Sequence, residues 1–98
     1  MRWPVGTPLA FSGGQQFVEK YGDYVWAELC DTAQTGQWLP VQWLADQLPS
    51  LQRYSARLRV RYLAQVLKAV QKDFIERPEA YQVPPFEQNG KTLIWIRL

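Results

Sequence analysis

The spacing of the apolar residues changes once along this chain, and that change limits the folds it can adopt. As far as Phe74, apolar side chains recur every three or four residues, which is typical of helices packed against a core. Beyond Pro78 they alternate, as in strands with one buried face. The sequence therefore predicts a mainly α protein with a small antiparallel sheet, built from three helices and a C-terminal β-hairpin.

Helix one is predicted from about Gln15 to about Thr35, and Gly36 is a natural stop. Residues 1–14 are predicted to form an N-terminal arm because their two prolines restrict the backbone, and residues 15–98 are predicted to form a single domain. Ser12 and Gln15 have the spacing of a weak capping box. The predicted core face of helix one consists of Phe17, Val18, Tyr21, Val25, Leu29 and Ala33.

Residues 37–39 could add an edge strand, and Pro40 suits the first turn of helix two. Pro49 makes continuation of that helix unfavourable. The predicted core face of helix two consists of Val41, Leu44, Ala45 and Leu48.

Helix three can begin at either of two serines, Ser50 or Ser55, and is predicted to end near Asp73 or Phe74. After it, Asn89-Gly90 predicts a two-residue type I′ hairpin turn, since both residues tolerate positive φ. Thr92, Ile94 and Ile96 share one face of the second hairpin strand.

Helix three also concentrates the positive charge of the chain. Between Asp46 and Asp73 there are six basic residues and no acidic one, although the net charge of the whole chain is only +2. At 100° per residue, five of the six lie on one side of a single helix, roughly opposite its apolar residues. These five, the predicted basic stripe, are Arg53, Arg57, Arg61, Lys68 and Lys72. Such an unneutralised stripe suits a polyanion, whereas Arg59 points elsewhere and is expected to pair with an acidic residue of the fold.

Composition favours a binding protein over an enzyme. The 98 residues include no histidine, the commonest general base near neutral pH, and a single cysteine, Cys30, beside an acidic neighbour that disfavours a thiolate. No metal motif, cofactor motif or small-molecule substrate is evident. No apolar run is long enough for a membrane span, and a cytoplasmic location is expected.

The element order and two segments resemble the winged-helix family of DNA-binding domains. Residues 36–45, Gly-Gln-Trp-Leu-Pro-Val-Gln-Trp-Leu-Ala, look like the passage from helix one through a short strand into helix two. Residues 61–70, Arg-Tyr-Leu-Ala-Gln-Val-Leu-Lys-Ala-Val, are similar to a bacterial recognition helix. The resemblance covers roughly residues 15–98 and implies that helix three enters the major groove of duplex DNA, with the hairpin as the wing.

On this resemblance the chain is expected to act as a transcriptional or replication accessory factor. Arg53, Arg57 and Arg61 would be the leading contacts, Lys68 and Lys72 would touch phosphates, and Tyr54 could bond a phosphate. Gln52 and Gln65 are possible base readers, and Lys91 is the one cation at the presumed wing tip, beside Glu87. The predicted nucleic-acid-binding residues are therefore Arg53, Tyr54, Arg57, Arg61, Gln65, Lys68, Lys72 and Lys91.

Five tryptophans are many for so short a chain, and they leave an alternative open. Trp26, Trp38 and Trp95 are predicted to form a partner interface, either in a homodimer or in a larger assembly. The alternative function is a protein–protein adaptor of the same fold, whose basic helix and exposed tryptophans bind an acidic partner.

Overall fold

The structure, a computed structural model, describes residues 13–33 and 36–96, with side chains from residue 16 onward. As far as Ser12, the predicted arm lies outside the described residues, and Trp3 lies outside with it. The predicted capping box also lies outside, because the Ser12 and Gln15 side chains are not described. Within the described part, the helices are α1 (Gly13–Thr32), α2 (Val41–Gln47) and α3 (Ala56–Glu76). The strands are β1 (Leu39–Pro40), β2 (Phe86–Asn89) and β3 (Leu93–Ile96), and short 3₁₀ turns span Pro49–Leu51 and Pro78–Ala80.

The predicted fold class is confirmed: the chain is mainly helical with a small antiparallel sheet near its C-terminus. Strand β3 lies at the centre of the sheet, between β1 and β2. Leu39 pairs with Ile94 across β1 and β3, and Phe86 pairs with Ile96 across β2 and β3. The predicted edge strand therefore exists, but it begins two residues later than expected and ends one residue later, at Pro40.

One hydrophobic core holds the layers together, and α3 is its centre because both α1 and α2 pack against it. The predicted core faces of the first two helices are buried, except that Tyr21 is half-buried. The backbone N–H of Val41 donates to the Thr92 carbonyl at 2.8 Å, which ties the start of α2 to the hairpin. The core consists of Phe17, Val18, Val25, Leu29, Ala33, Leu39, Val41, Leu44, Ala45, Leu48, Leu51, Leu63, Val66, Leu67, Val70, Phe86, Ile94 and Ile96.

The hairpin turn differs from the prediction. Asn89 pairs with Leu93, so the loop has three residues, 90–92, rather than two. Gly90 has φ of +63°, whereas Asn89 does not have the positive φ that a type I′ turn requires. The type I′ prediction is therefore wrong, and Thr92, predicted to share a strand face with Ile94 and Ile96, is exposed within this loop.

The ends of two helices also differ from the prediction. α1 ends at Thr32 rather than near Thr35, and Gly36 follows with φ of +58°, the left-handed conformation expected of a residue beyond a helix stop. α3 continues to Glu76, beyond Asp73 and Phe74. The backbone N–H of Arg77 still donates to the Asp73 carbonyl at 2.8 Å, and Pro78 then prevents further helix.

Candidate nucleic-acid interface

The start of α3 decides which cations share its surface. Ser55, one of the two predicted caps, is the N-cap: its Oγ accepts from the Leu58 N–H at 3.4 Å. The other candidate, Ser50, lies in the first 3₁₀ turn and bonds the Glu28 carboxylate through both its N–H and its hydroxyl. Arg53 therefore precedes the helix, and the prediction that five cations share one helix is wrong at that residue.

Three cations of the predicted stripe form an exposed surface on α3, which we call the basic face: Arg57, Arg61 and Lys68. The opposite side of the helix is buried at Leu63, Val66, Leu67 and Val70. Within the described part of the chain, no carboxylate lies within 4.0 Å of a basic-face nitrogen. The basic face is thus solvent-exposed, and no carboxylate of residues 13–33 or 36–96 neutralises it.

The last predicted member of the stripe, Lys72, does have a partner. Its Nζ lies 3.9 Å from Glu76 Oε1, one helical turn further on, and both side chains are about half exposed. An exposed pair of this kind contributes little stability, yet it lowers the local positive potential. The prediction of an unneutralised stripe is therefore wrong at Lys72.

Arg59 behaves as the sequence predicted. Its guanidinium lies 3.2 Å from Asp46 Oδ1 and also donates to the Gln52 carbonyl at 3.2 Å, which joins α3 to the end of α2. Gln52, in contrast, is unsuited to the base reading proposed for it. Its side-chain amide donates to the carbonyls of Asp46 and Leu48, since the last carbonyls of a helix lack partners within it.

Arg53 lies against aromatic rings instead of on α3. Its Cζ is 5.5 Å from the ring centroid of Tyr21 and 5.3 Å from that of Tyr54. Hydrogen bonding to Tyr21 and then to Tyr54 raises the pKa of Arg53, while Arg53, followed by Lys20, lowers the pKa of Tyr21. Tyr54 is half-buried, with its ring 4.8 Å from that of Tyr62 and 5.8 Å from that of Phe17.

Two further predicted contacts are not part of the basic face. Gln65 is half-buried, and Lys91 is exposed in the hairpin loop. Sequence reasoning missed Lys20 and assigned Tyr21 to the core. The only signal available was the spacing that placed Tyr21 among apolar residues, and that spacing does not indicate that the ring would lie beside Arg53.

Only two of the three tryptophans of the predicted interface contact each other. Trp38 and Trp95 meet edge to face with ring centroids 5.6 Å apart, and Trp38 is 41% exposed. Trp26 is half-buried against the core, with its ring centroid 6.3 Å from that of Phe86. Trp43, which was not among the predicted interface residues, is 45% exposed.

The groups that could support other chemistry are limited within the described residues. Burial, and then the nearby charge of Asp31, raises the pKa of Cys30 to about 11, as the sequence predicted in direction. Nowhere in residues 13–33 and 36–96 do three histidine, cysteine or acidic side chains gather in a way that could hold a metal ion. In the same residues, none of the helices has the length and apolar character that a membrane crossing requires.

No protein-family model matches the chain, and neither a curated protein nor a solved structure is similar to it at a significant level.

Proposed function

We propose that this chain is a non-catalytic nucleic-acid-binding module of winged-helix type, which binds duplex DNA through α3. The observation that carries the proposal is the basic face, where Arg57, Arg61 and Lys68 are exposed with no carboxylate within 4.0 Å among the described residues. The helix that bears them is anchored along its other side by the core. It therefore offers cations to a partner on a rigid support.

The physical argument concerns the partner's charge. Arg57 and Arg61 are one helical turn apart, where like charges destabilise a helix slightly. A DNA backbone supplies the missing negative charge, and its condensed counterions are released when cations neutralise its phosphates. This release gives a favourable contribution to binding that does not depend on sequence. The basic face therefore suits a linear polyanion.

The order of elements on which the winged-helix resemblance rests supports the same proposal: α1, β1, α2, α3 and then the β2–β3 hairpin. In that family the third helix commonly enters the major groove. On this basis Arg57 and Arg61, on the early turns of α3, contact bases or phosphates, and Lys68 contacts phosphate. We propose an accessory role in transcription or replication, in the cytoplasm.

The test measures binding of a fluorescein-labelled random-sequence DNA duplex by anisotropy at low salt. Replacing Arg57, Arg61 and Lys68 together by alanine is expected to weaken binding about hundredfold, at roughly 1 kcal/mol for each contact. A control carrying Q37E, Q47E and Q82E loses the same net charge at exposed positions outside α3. If both variants bind equally well, the site assignment is wrong; if the wild-type protein binds no duplex, the function is wrong.

A second candidate function is favoured by the exposed tryptophans Trp38 and Trp43. In this alternative the chain is a protein–protein adaptor, in which the basic face binds an acidic partner and the tryptophans anchor the contact, since tryptophan is enriched at interfaces. Light scattering after size exclusion tests for self-association through these rings. A wild-type dimer that becomes monomeric on changing Trp38 to alanine, without any binding to duplex DNA, would favour the adaptor.

A further inference from the structure

Two cations from distant parts of the sequence converge on one tyrosine. Lys20 and Tyr21 are neighbours on α1, and the Lys20 Nζ lies 5.4 Å from the centroid of the Tyr21 ring. Arg53 comes from the turn before α3, and its Cζ lies 5.5 Å from the same centroid. We call Lys20, Tyr21, Arg53 and Tyr54 the tyrosine–cation cluster.

The cluster is held in place from beneath by the core. Phe17, which is 6% exposed, has its ring centroid 5.3 Å from that of Tyr21 and 5.8 Å from that of Tyr54. These rings therefore pack against a buried residue, and the Arg53 guanidinium lies within 5.5 Å of the ring centroids of both tyrosines. A site organised before binding loses less side-chain entropy when it takes a ligand.

The charge of the cluster is not balanced by the protein around it. Among the residues that the structure describes, neither Lys20 nor Arg53 has a carboxylate oxygen within 4.0 Å. Both cations lie within 5.5 Å of the Tyr21 ring centroid, yet a neutral phenol is not a counter-ion. Guanidinium and ammonium groups have five and three N–H donors respectively, so both retain donors for a further acceptor.

The position of the cluster indicates which acceptor it takes. Arg53 precedes Arg57 by four residues, so the cluster lies at the end of α3 where the basic face begins. A guanidinium, an ammonium and a phenol hydroxyl are groups that commonly bond phosphate oxygens, and such contacts orient a protein on the duplex.

We propose that Lys20, Tyr21 and Arg53 form a second contact site, which binds a backbone phosphate of the DNA beside the groove that receives α3. The inference rests on the proposed function and extends the interface from α3 onto α1. Lys20 supplies an ammonium donor and Tyr21 positions both cations, while Arg53 contacts the phosphate from the turn. The contact carries no base specificity.

The test compares K20Q with the control Q37E, which changes the net charge equally at an exposed position outside the cluster. Duplex affinity is measured over a series of KCl concentrations, on two duplexes of different sequence. Loss of one phosphate contact is expected to reduce the magnitude of the negative slope of log K against log[KCl] by about 1. Binding to both duplexes is expected to weaken equally. Y21F, which keeps the ring and the charge, is expected to weaken binding about threefold, because it removes the hydroxyl to which we assign the positioning of the two cations.

Each outcome has a separate meaning. If the affinity of K20Q depends less steeply on KCl concentration than that of Q37E, the site is supported. If the two variants have the same salt dependence, the site is overturned, while α3 remains the interface. Y21F that binds as tightly as wild type overturns the positioning role of the hydroxyl. A wild-type protein that binds neither duplex overturns the proposed function itself, and this inference with it. Circular dichroism and thermal melting of K20Q and Y21F check that both remain folded.

Discussion

The two ends of α3 carry the same kind of side chain in opposite electrostatic settings. Near the start, Arg57 and Arg61 are exposed, and no described carboxylate is within 4.0 Å of them. At the far end, Arg77 donates from Nε and Nη2 to the two carboxylate oxygens of Asp73, at 2.9 Å each. The start of α3 therefore presents its positive charge to solvent, whereas the charge of Arg77 at the far end is neutralised by Asp73.

The paired end has a clear structural purpose. The Asp73 side chain is only 2% exposed, and the Tyr81 hydroxyl donates to it at 2.5 Å. Arg77 and Tyr81 flank the 3₁₀ turn at Pro78–Ala80, so a single buried carboxylate joins the last turn of α3 to the chain that leaves it. Asp73 thus stabilises the route from the helix to the hairpin.

In this fold, acidic side chains pair with groups from other elements or from the chain that leaves a helix, and these pairs join the parts together. Asp46 and Glu28 are likewise used to join elements, through Arg59 and through Ser50. The basic face joins nothing within the described residues, although its uncovered arginines repel one another at one-turn spacing. Arginines that cost stability without bonding to the fold are the residues we assign to an external anion.

Among the substitutions that compare the two ends of α3, removing Asp73 has the largest expected effect on stability. D73A eliminates the two hydrogen bonds from Arg77 and the one from Tyr81, and the free energy of unfolding is expected to fall by about 2 kcal/mol. Urea unfolding followed by tryptophan fluorescence measures it. R61A at the other end of the helix is the matched control and is expected to stay within a few tenths of a kcal/mol of wild type. If D73A and R61A lowered the free energy of unfolding equally, the two ends of α3 would not differ in their contribution to stability.

Acid is expected to weaken the paired end in particular. The hydrogen bonds from Arg77, and with a smaller effect that from Tyr81, hold the pKa of Asp73 below its ordinary value. A carboxyl with a lower pKa in the folded state stabilises the fold above its unfolded pKa of about 3.9, and this stabilisation is lost as pH falls through the lower, folded pKa.

The measurement is the difference in unfolding free energy between wild type and D73N at pH 7, pH 5 and pH 3. The difference is expected to be equal at the two higher values, where Asp73 is ionised in both states. At pH 3 it is expected to be smaller, because the unfolded chain then binds a proton that the folded carboxylate resists. A difference that stays constant down to pH 3 would contradict the role given to the ionised carboxylate.

The fold was predictable because apolar spacing is a local property. Buried residues such as Val25 on α1 and Leu44 on α2 lie where the helical period puts them, and the alternation of Ile94 and Ile96 identified the second strand of the hairpin. Hydrophobic burial is not directional, so its pattern in sequence is enough to orient each element.

The site was less predictable because it depends on contacts between distant residues. The helical wheel placed Arg53 on α3, but the 3₁₀ turn and the Ser55 cap exclude it from the helix. The approach of Lys20 and Arg53 to one tyrosine requires α1 to pack on α3, which no local pattern specifies. Asp73 resembled an ordinary residue at a helix end, and its burial follows only from where Arg77 and Tyr81 lie.

The smallest expected effect tests whether the uncovered arginines cost stability. R61E places a carboxylate one turn after Arg57, which replaces a repulsive pair by an attractive one, worth a few tenths of a kcal/mol in an isolated helix. For a chain of this length, the melting temperature at low salt is expected to rise by about 1–2 °C. R61Q, which removes the repulsion without adding attraction, is expected to lie between R61E and wild type.

The same R61E protein is expected to lose affinity for duplex DNA, because its new charge repels the phosphates. Stability and binding would then move in opposite directions after one substitution, and 1 M KCl would suppress both changes by screening. If R61E instead melts below wild type at low salt, Arg61 stabilises the fold through contacts of its own. Both ends of α3 would then make contacts within the fold, and they would differ only in the type of contact.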